Sequence, residues 1–295
     1  MKKGNKTDGL FNFMDLRQPK YIAAYSVIFA ILVLLSLICL FPIIWYMLLG
    51  FKDVKEMHAI PASLFPKNID LSRIYKVWNS VNLTNYFMNT VILIVGCWAS
   101  SIVFNGMSGY FLSKIQSKGY KIFNIIIFWT IMMPGVSVVP LYCWLADVPF
   151  LHINLLGNRI PVMLMAGASA FDIMLYRNFF NTIPTEYMEA AKIDGCSATK
   201  IFFSIMLPLS KPIIAVTSIT IILGTWQNFF WPYLILGNTD KQPLAVFVYG
   251  LSRTPNMLEN DAVLITALTL IPPFCIYALL SKHIMGGINM SGIKG

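Results

Sequence analysis

Stretches free of charged residues constrain this chain more than any other feature. They cover 21–51, 77–113, 122–146, 212–239 and 262–281, and a sixth, 160–176, is broken only by Asp172. A helix needs about 20 mostly apolar residues to cross the hydrocarbon core of a bilayer. Lipid-facing β-strands would alternate in polarity, and these stretches do not. The pattern predicts an all-α membrane protein with six transmembrane helices, at roughly 23–50, 87–112, 122–142, 160–180, 212–236 and 262–282. Composition argues against a soluble fold. Only 12% of the 295 residues are charged, against about 25% in a soluble domain. No connection between the stretches is long enough to bury a core of its own. The first stretch far exceeds the roughly 7–15 apolar residues of a signal-peptide core, so it is expected to be a retained span.

Six spans put both termini on one side. Fourteen of the 22 Lys and Arg fall on that side and eight on the other, so the termini are expected to be cytoplasmic. On this reading residues 1–20 form a cytoplasmic tail ahead of a transmembrane domain over 21–295. The net charge of +9 then reflects topology rather than a nucleic-acid surface. Cys39, Cys97, Cys143, Cys196 and Cys275 are too scattered for a metal or redox motif and are assigned to packing. His58, His152 and His283 are equally scattered, which argues against a metalloenzyme. The chain contains no Gly-Lys dipeptide, so it has no Walker A loop and no P-loop route to ATP hydrolysis.

Two connections have legible features. The outer one, 52–85, holds Pro61, Pro66 and Asn68 and is expected to be ordered by turns. The inner one, about 181–211, is more unusual. Pro184 suits a helix entry, Thr185 a cap, and Glu186 and Glu189 place negative charge in the first turn. Met188, Ala190 and Ala191 offer a small apolar face. Gly195 is placed to end the helix in a left-handed turn. Ser197 can cap a second helix, which Pro208 closes. Such a unit is too short to fold alone and must lean on the membrane or on a partner.

The spacing of this connection resembles a known signature. Glu189-Ala190-Ala191, then Gly195, then Ile205-Met206-Leu207-Pro208 meets every fixed position of the EAA motif (EAA-x3-G-x9-I-x-LP) of ABC importer permeases. Further segments resemble the carbohydrate branch, specifically the MalG-like subunits. They are Phe51-Lys52, Asn89-Thr90, Met133-Pro134, Val139-Pro140-Leu141, Tyr176 to Phe180 and Thr225 to Pro232. The resemblance implies a type I importer architecture in a bacterial inner membrane. It implies a second, MalF-like permease, two cytoplasmic ATPases and an extracytoplasmic solute-binding protein. It also implies that ATP and Mg act at the ATPases, with no cofactor on this chain. The inner connection would be the coupling helix. Glu189, Ala190, Ala191, Asp194 and Gly195 would dock on an ATPase, and Leu207 and Pro208 would anchor the return to the membrane.

Polar residues inside spans usually face a protein interior. Gly224, Gln227, Asn228 and Trp231 share one face if span five is a continuous helix. Amides bind sugar hydroxyls and an indole packs on a sugar CH face, so Gln227, Asn228 and Trp231 are candidates for a solute path. Amides equally glue helices together. Asn105, in span two, could serve either purpose. Asp172 departs from the family pattern and is expected to pair with another helix or to snorkel. Ala166 and Ala170 read as a small-xxx-small packing pair. The same machine could carry a non-sugar solute. A secondary transporter would call for an inverted repeat or buried charge pairs, and neither is evident.

Overall fold

A computed structural model describes residues 19–133, 138–237, 239–251 and 257–291. The tail 1–18, Pro134 and Lys294 lie outside them. Among the described residues every regular element is a helix, and the sole β feature is an isolated bridge between Val148 and Ile153. The contacts of the described residues divide them into two compact units, one within 1–70 and 258–267 and the other within 71–257 and 268–295.

The smaller unit holds α1 (Pro19–Leu49) and α2 (Val54–Met57), with the first residues of the last helix. Lys52, 1% exposed, has its ammonium against Ser63 O and over the Trp45 ring. Glu56 Oε1 accepts from Ser63 Oγ and Lys67 N, both at 3.1 Å. Asn260 Nδ2 donates to Lys52 O at 3.0 Å.

The larger unit starts with α3 (Ser72–Ser80), a short helix inside the connection expected to hold only turns. Then comes α4, a 33-residue helix over Leu83–Ile115, with π-helical stretches at Ser101–Asn105 and Phe111–Ile115. After α5 (Tyr120–Met132) and α6 (Val138–Ala146) come α7 (Arg159–Ala166) and α8 (Ala170–Asn181), bent by 41°. Next are α9 (Glu186–Ile193) and α10 (Ala198–Leu209), the latter set at 83° to α11 (Lys211–Gln227). The chain continues through α12 (Phe230–Leu236), α13 (Leu244–Gly250) and α14 (Glu259–Ser291).

Among the described residues three helices are long and apolar enough to cross a membrane, or up to five if each bent pair is one span. The expected span over 122–142 falls on α5, 13 residues long, and on α6, with 134–137 outside the described residues.

Glycine lets α4 and α8 meet closely. A Cβ on Gly109 would lie 2.6 Å from Tyr176 Cβ and 2.9 Å from Arg177 N. Small residues at such crossings let backbones approach, which is how helices associate where lipid removes the hydrophobic drive. At one end of α4, Asn89 Nδ2 donates to Asp240 O (2.8 Å) and Gln242 O (2.9 Å) while its Oδ1 accepts from Arg159. Thr90 Oγ1 accepts from Leu244 N at 2.8 Å. Together they tie the segment before α13 to α4.

Candidate functional site

The connection between α8 and α11 is built as an elbow. After Pro184, α9 opens at Glu186 with Glu186 and Glu189 in its first turn. Thr185 stands at the cap position, but only its carbonyl serves, accepting from Met188 N (2.9 Å) and Glu189 N (3.1 Å). The helix ends in a Schellman turn. Gly195 takes φ +75° and donates to Lys192 O (3.0 Å), and Cys196 N donates to Ala191 O (2.9 Å). Ser197 Oγ then accepts from Lys200 N at 3.3 Å to cap α10. Pro208 falls one residue short of the end of α10, and Ser210 makes the turn into α11.

One side of the elbow is glued to the spans. Met188 and Ala191, three residues apart on α9, pack with Ile183, Ile201, Phe202 and Met206 against Tyr110, Tyr176 and Phe180. Lys114 Nζ adds a bond to Ile183 O at 2.6 Å. The other side is free. Glu186, Glu189, Ala190 and Asp194 are exposed there, Tyr187 is 54% exposed and Ile193 88%. Isoleucine so exposed at a helix end has an unfilled apolar contact.

A second feature lies between the spans. A cavity of about 300 Å³ is walled by Cys97 of α4, Val162, Met165 and Ala166 of α7, and Ser169 and Asp172 at the start of α8. Ile221, Gly224 and Thr225 of α11 and Asn228, Trp231 and Pro232 complete it. Both backbone breaks border it. The chain leaves the helix at Gly167–Ser169 and again at Asn228, whose ψ is 110°. Asp172 is buried, 9% exposed, and its backbone N–H donates at 3.3 Å to the Oγ of Ser169, which caps α8. No cationic group pairs with it among the described residues. Arg177 instead donates to Asn124 Oδ1 on α5 at 2.9 Å.

Residues 105–286, more than half of the chain, match the family described as binding-protein-dependent transport system inner membrane component. The chain belongs to this family. It is 29% identical over 291 residues to the probable ABC transporter permease protein YurM of Bacillus subtilis, covering 95% of this chain and 91% of that one. It is 26% identical over 270 residues to the diacetylchitobiose uptake system permease protein NgcG of Streptomyces coelicolor, covering 90% and 87%. It shares its fold with a chain from the crystal structure of a bacterial ABC transporter involved in the import of the acidic polysaccharide alginate. That match has a TM-score of 0.76 at 24% identity, over 90% of this chain and 98% of that one. This chain is therefore a multi-pass inner-membrane permease and not an enzyme.

The permease's geometry redistributes several residues expected from sequence. Met188 and Ala191 face inward, while Ala190, about 200° round α9 from Met188, faces out with Glu189 and Asp194. Leu207 packs on the elbow's core and Pro208 is exposed. Asn228 and Trp231 line the cavity, but Gln227 does not. The helix stops at Gln227, so the assumed continuous face ends there and the Gln227 side chain is exposed. Asn105 does not line the cavity. It is fully buried, its Nδ2 donating to Ser101 Oγ (2.8 Å) and Ala166 O (2.9 Å), its Oδ1 accepting from Ser169 N (3.1 Å). It splints the α7–α8 break. That break also separates Ala166 from Ala170, and Gly167 makes the close approach instead, where a Cβ would lie 2.7 Å from Ser100 Oγ. Among the described residues Asp172 pairs with no group on another helix, and its side chain is buried. Of the cysteines, only Cys97 is buried; Cys39, Cys143 and Cys275 are exposed and Cys196 is half-buried. Ser169 was missed, although Ser169-Ala-Phe-Asp172 has the spacing of a capping box.

Proposed function

We propose that this permease is one of two membrane subunits of an ATP-driven importer for a sugar or oligosaccharide. A second, MalF-like permease, two ATPases binding ATP and Mg, and an external solute-binding protein complete the machine. The elbow is the coupling helix, its free side facing the cytoplasm in keeping with the Lys and Arg count. The observation that carries this reading is the split character of α9. Met188 and Ala191 fix it to the spans while Tyr187, Glu189, Ala190 and Ile193 are presented outward. A helix held that way transmits a push from a partner to α8 and α11 as a rigid body, the kind of switch that tilts one permease against the other. The sugar assignment rests on the diacetylchitobiose relative and on the amide and indole in the cavity. The six spans, with both termini cytoplasmic, belong to the same proposal.

Purification of the tagged chain from mild detergent tests it, wild type beside Ile193→Asp. Ile193 is 88% exposed, so the variant should fold as well as wild type and lose the ATPase. Wild type that purifies folded and without an ATPase would sink the coupling reading and bring a self-sufficient transporter forward.

A further inference from the structure

The cavity beside the two helix breaks is lined by a carboxyl group that no cation among the described residues pairs with. Asp172 is nine-tenths buried and lines it, and its only bonding partner among the described residues is Ser169. The nearest cation along its helix, Arg177, is committed to Asn124. The start of α8 is a position where negative charge is favoured. The Asn228 side-chain amide lines the same space and makes no hydrogen bond within the described residues, so its donors and acceptor are free for a guest. Trp231 supplies a flat apolar wall. A carboxylate, a free amide and an indole facing one space form a site for a polyhydroxylated ring that does not carry negative charge.

We propose that Asp172 is a specificity-determining residue that makes this cavity admit neutral or amino-substituted sugars and turn away solutes bearing carboxylate or phosphate. The proposal rests on the reading of the cavity as part of the solute path. A diacetylchitobiose permease is among the relatives of this chain and an importer of an acidic polysaccharide shares its fold, so the fold itself does not set charge preference, which leaves it to individual side chains. A sphere of 300 Å³ is about 8 Å across, which sets the scale of separation between a guest and Asp172. At that separation and an effective dielectric of about 20, a unit charge is favoured or disfavoured by roughly 30-fold.

The test needs no knowledge of the natural solute. The full chain carrying Asn228→Cys is kept in membranes with its partners, and both faces are exposed to two thiol reagents of similar size. One is the cationic trimethylammonioethyl methanethiosulfonate and the other the anionic sulfonatoethyl methanethiosulfonate. Modification at position 228 is read by peptide mapping and normalised to Cys143, an exposed thiol outside the cavity. The cation-to-anion rate ratio at position 228 should exceed that at Cys143 by about 10-fold or more, and Asp172→Asn should remove most of the excess. Asp172→Glu should restore it. If Asp172→Asn does not accumulate, the ratio in the Asp172 chain still decides, since a value no greater than at Cys143 overturns the proposal. Equal modification by both reagents refutes the charge inference and leaves the path standing. No modification by either means a cavity closed to water, and then the path reading falls and the proposal with it.

Discussion

Replacing Gly109 by alanine tests the packing that positions both candidate sites. Gly109 lies where α4 crosses α8, and an added methyl carbon would sit 2.6 Å from Tyr176 Cβ, 2.9 Å from Arg177 N and 3.0 Å from Ile173 O. Two of those atoms are backbone, so no rotamer change relieves the clash. Carbon contacts relax at roughly 3.5–4.0 Å, so the helices must part by something near 1 Å. That separation also disturbs Tyr110, Tyr176 and Phe180, which hold the elbow. Overpacking of this kind costs about 1–3 kcal/mol. The gain in helix propensity from Gly to Ala, about 1 kcal/mol, offsets part of it. The control is Gly224→Ala, also helical but with nothing within 4 Å of the new carbon. It should keep the whole propensity gain. Relative to that control, Gly109→Ala should be less stable by about 2 kcal/mol, read in mild detergent as a lower midpoint of thermal aggregation and a faster rate of proteolysis. A Gly109→Ala protein as stable as Gly224→Ala would refute the close α4–α8 crossing.

Asn105→Leu should accumulate poorly, because Ala166 O and Ser169 N lose their partner in a buried break, at a cost of about 2 kcal/mol; protein level and size-exclusion profile measure this. Tyr176→Phe should be mild by contrast. It removes the 2.9 Å bond to Thr217 Oγ1, but that hydroxyl still donates to Ile213 O, so a loss of about 0.6 kcal/mol is expected in the same stability assay. Gln227→Leu should leave solute uptake within about twofold of wild type, whereas Asn228→Leu should reduce it severalfold, because only Asn228 faces the cavity. Equal effects would mean that the helix break does not orient these two amides as described.

Much of this architecture was legible because lipid as solvent leaves so few options. Charge-free length located both ends of α1 and α4 and the start of α14 within a few residues, whereas α14 runs on to Ser291. The elbow was legible for another reason. Its helix–Gly–helix form is written in local chemistry, with Glu186 and Glu189 at the start, Gly195 at the stop and Ser197 at the next cap. What did not show was anything that depends on which way a side chain turns once a helix is interrupted. A continuous-helix pattern places Gln227 beside Gly224 and Trp231, and one non-helical residue, Asn228, removes it from that face. Likewise Asn105 could be glue or path from sequence, since the choice depends on a break 61 residues away at Ala166. The polar splint and the break it serves are far apart in the chain and become one feature only after folding.

Those breaks explain why the cavity is where it is. In hydrocarbon a backbone group without a partner costs several kcal/mol, so irregular backbone persists at membrane depth only where protein covers it or where it lines a cavity. Here each break has its own solution. At Gly167–Ser169, Asn105 supplies both a donor and an acceptor from α4. At Asn228, the backbone N–H still reaches Gly224 O at 2.9 Å, and the side chain is left to the open space. The first break is closed by a buried side chain from a neighbouring helix; the second presents its amide outward. A span that needed only to cross the membrane would have neither. Two interruptions that converge on one cavity, one splinted and one left open, put the adaptable side of that cavity on the α11–α12 break and the fixed side on α8. A tilt transmitted through the elbow would then reshape the cavity mainly by moving Asn228 and Trp231 against Asp172. Thiol modification at Asn228→Cys should accordingly change severalfold between nucleotide-free and ATP-trapped complexes, and an unchanged rate would place the moving wall elsewhere.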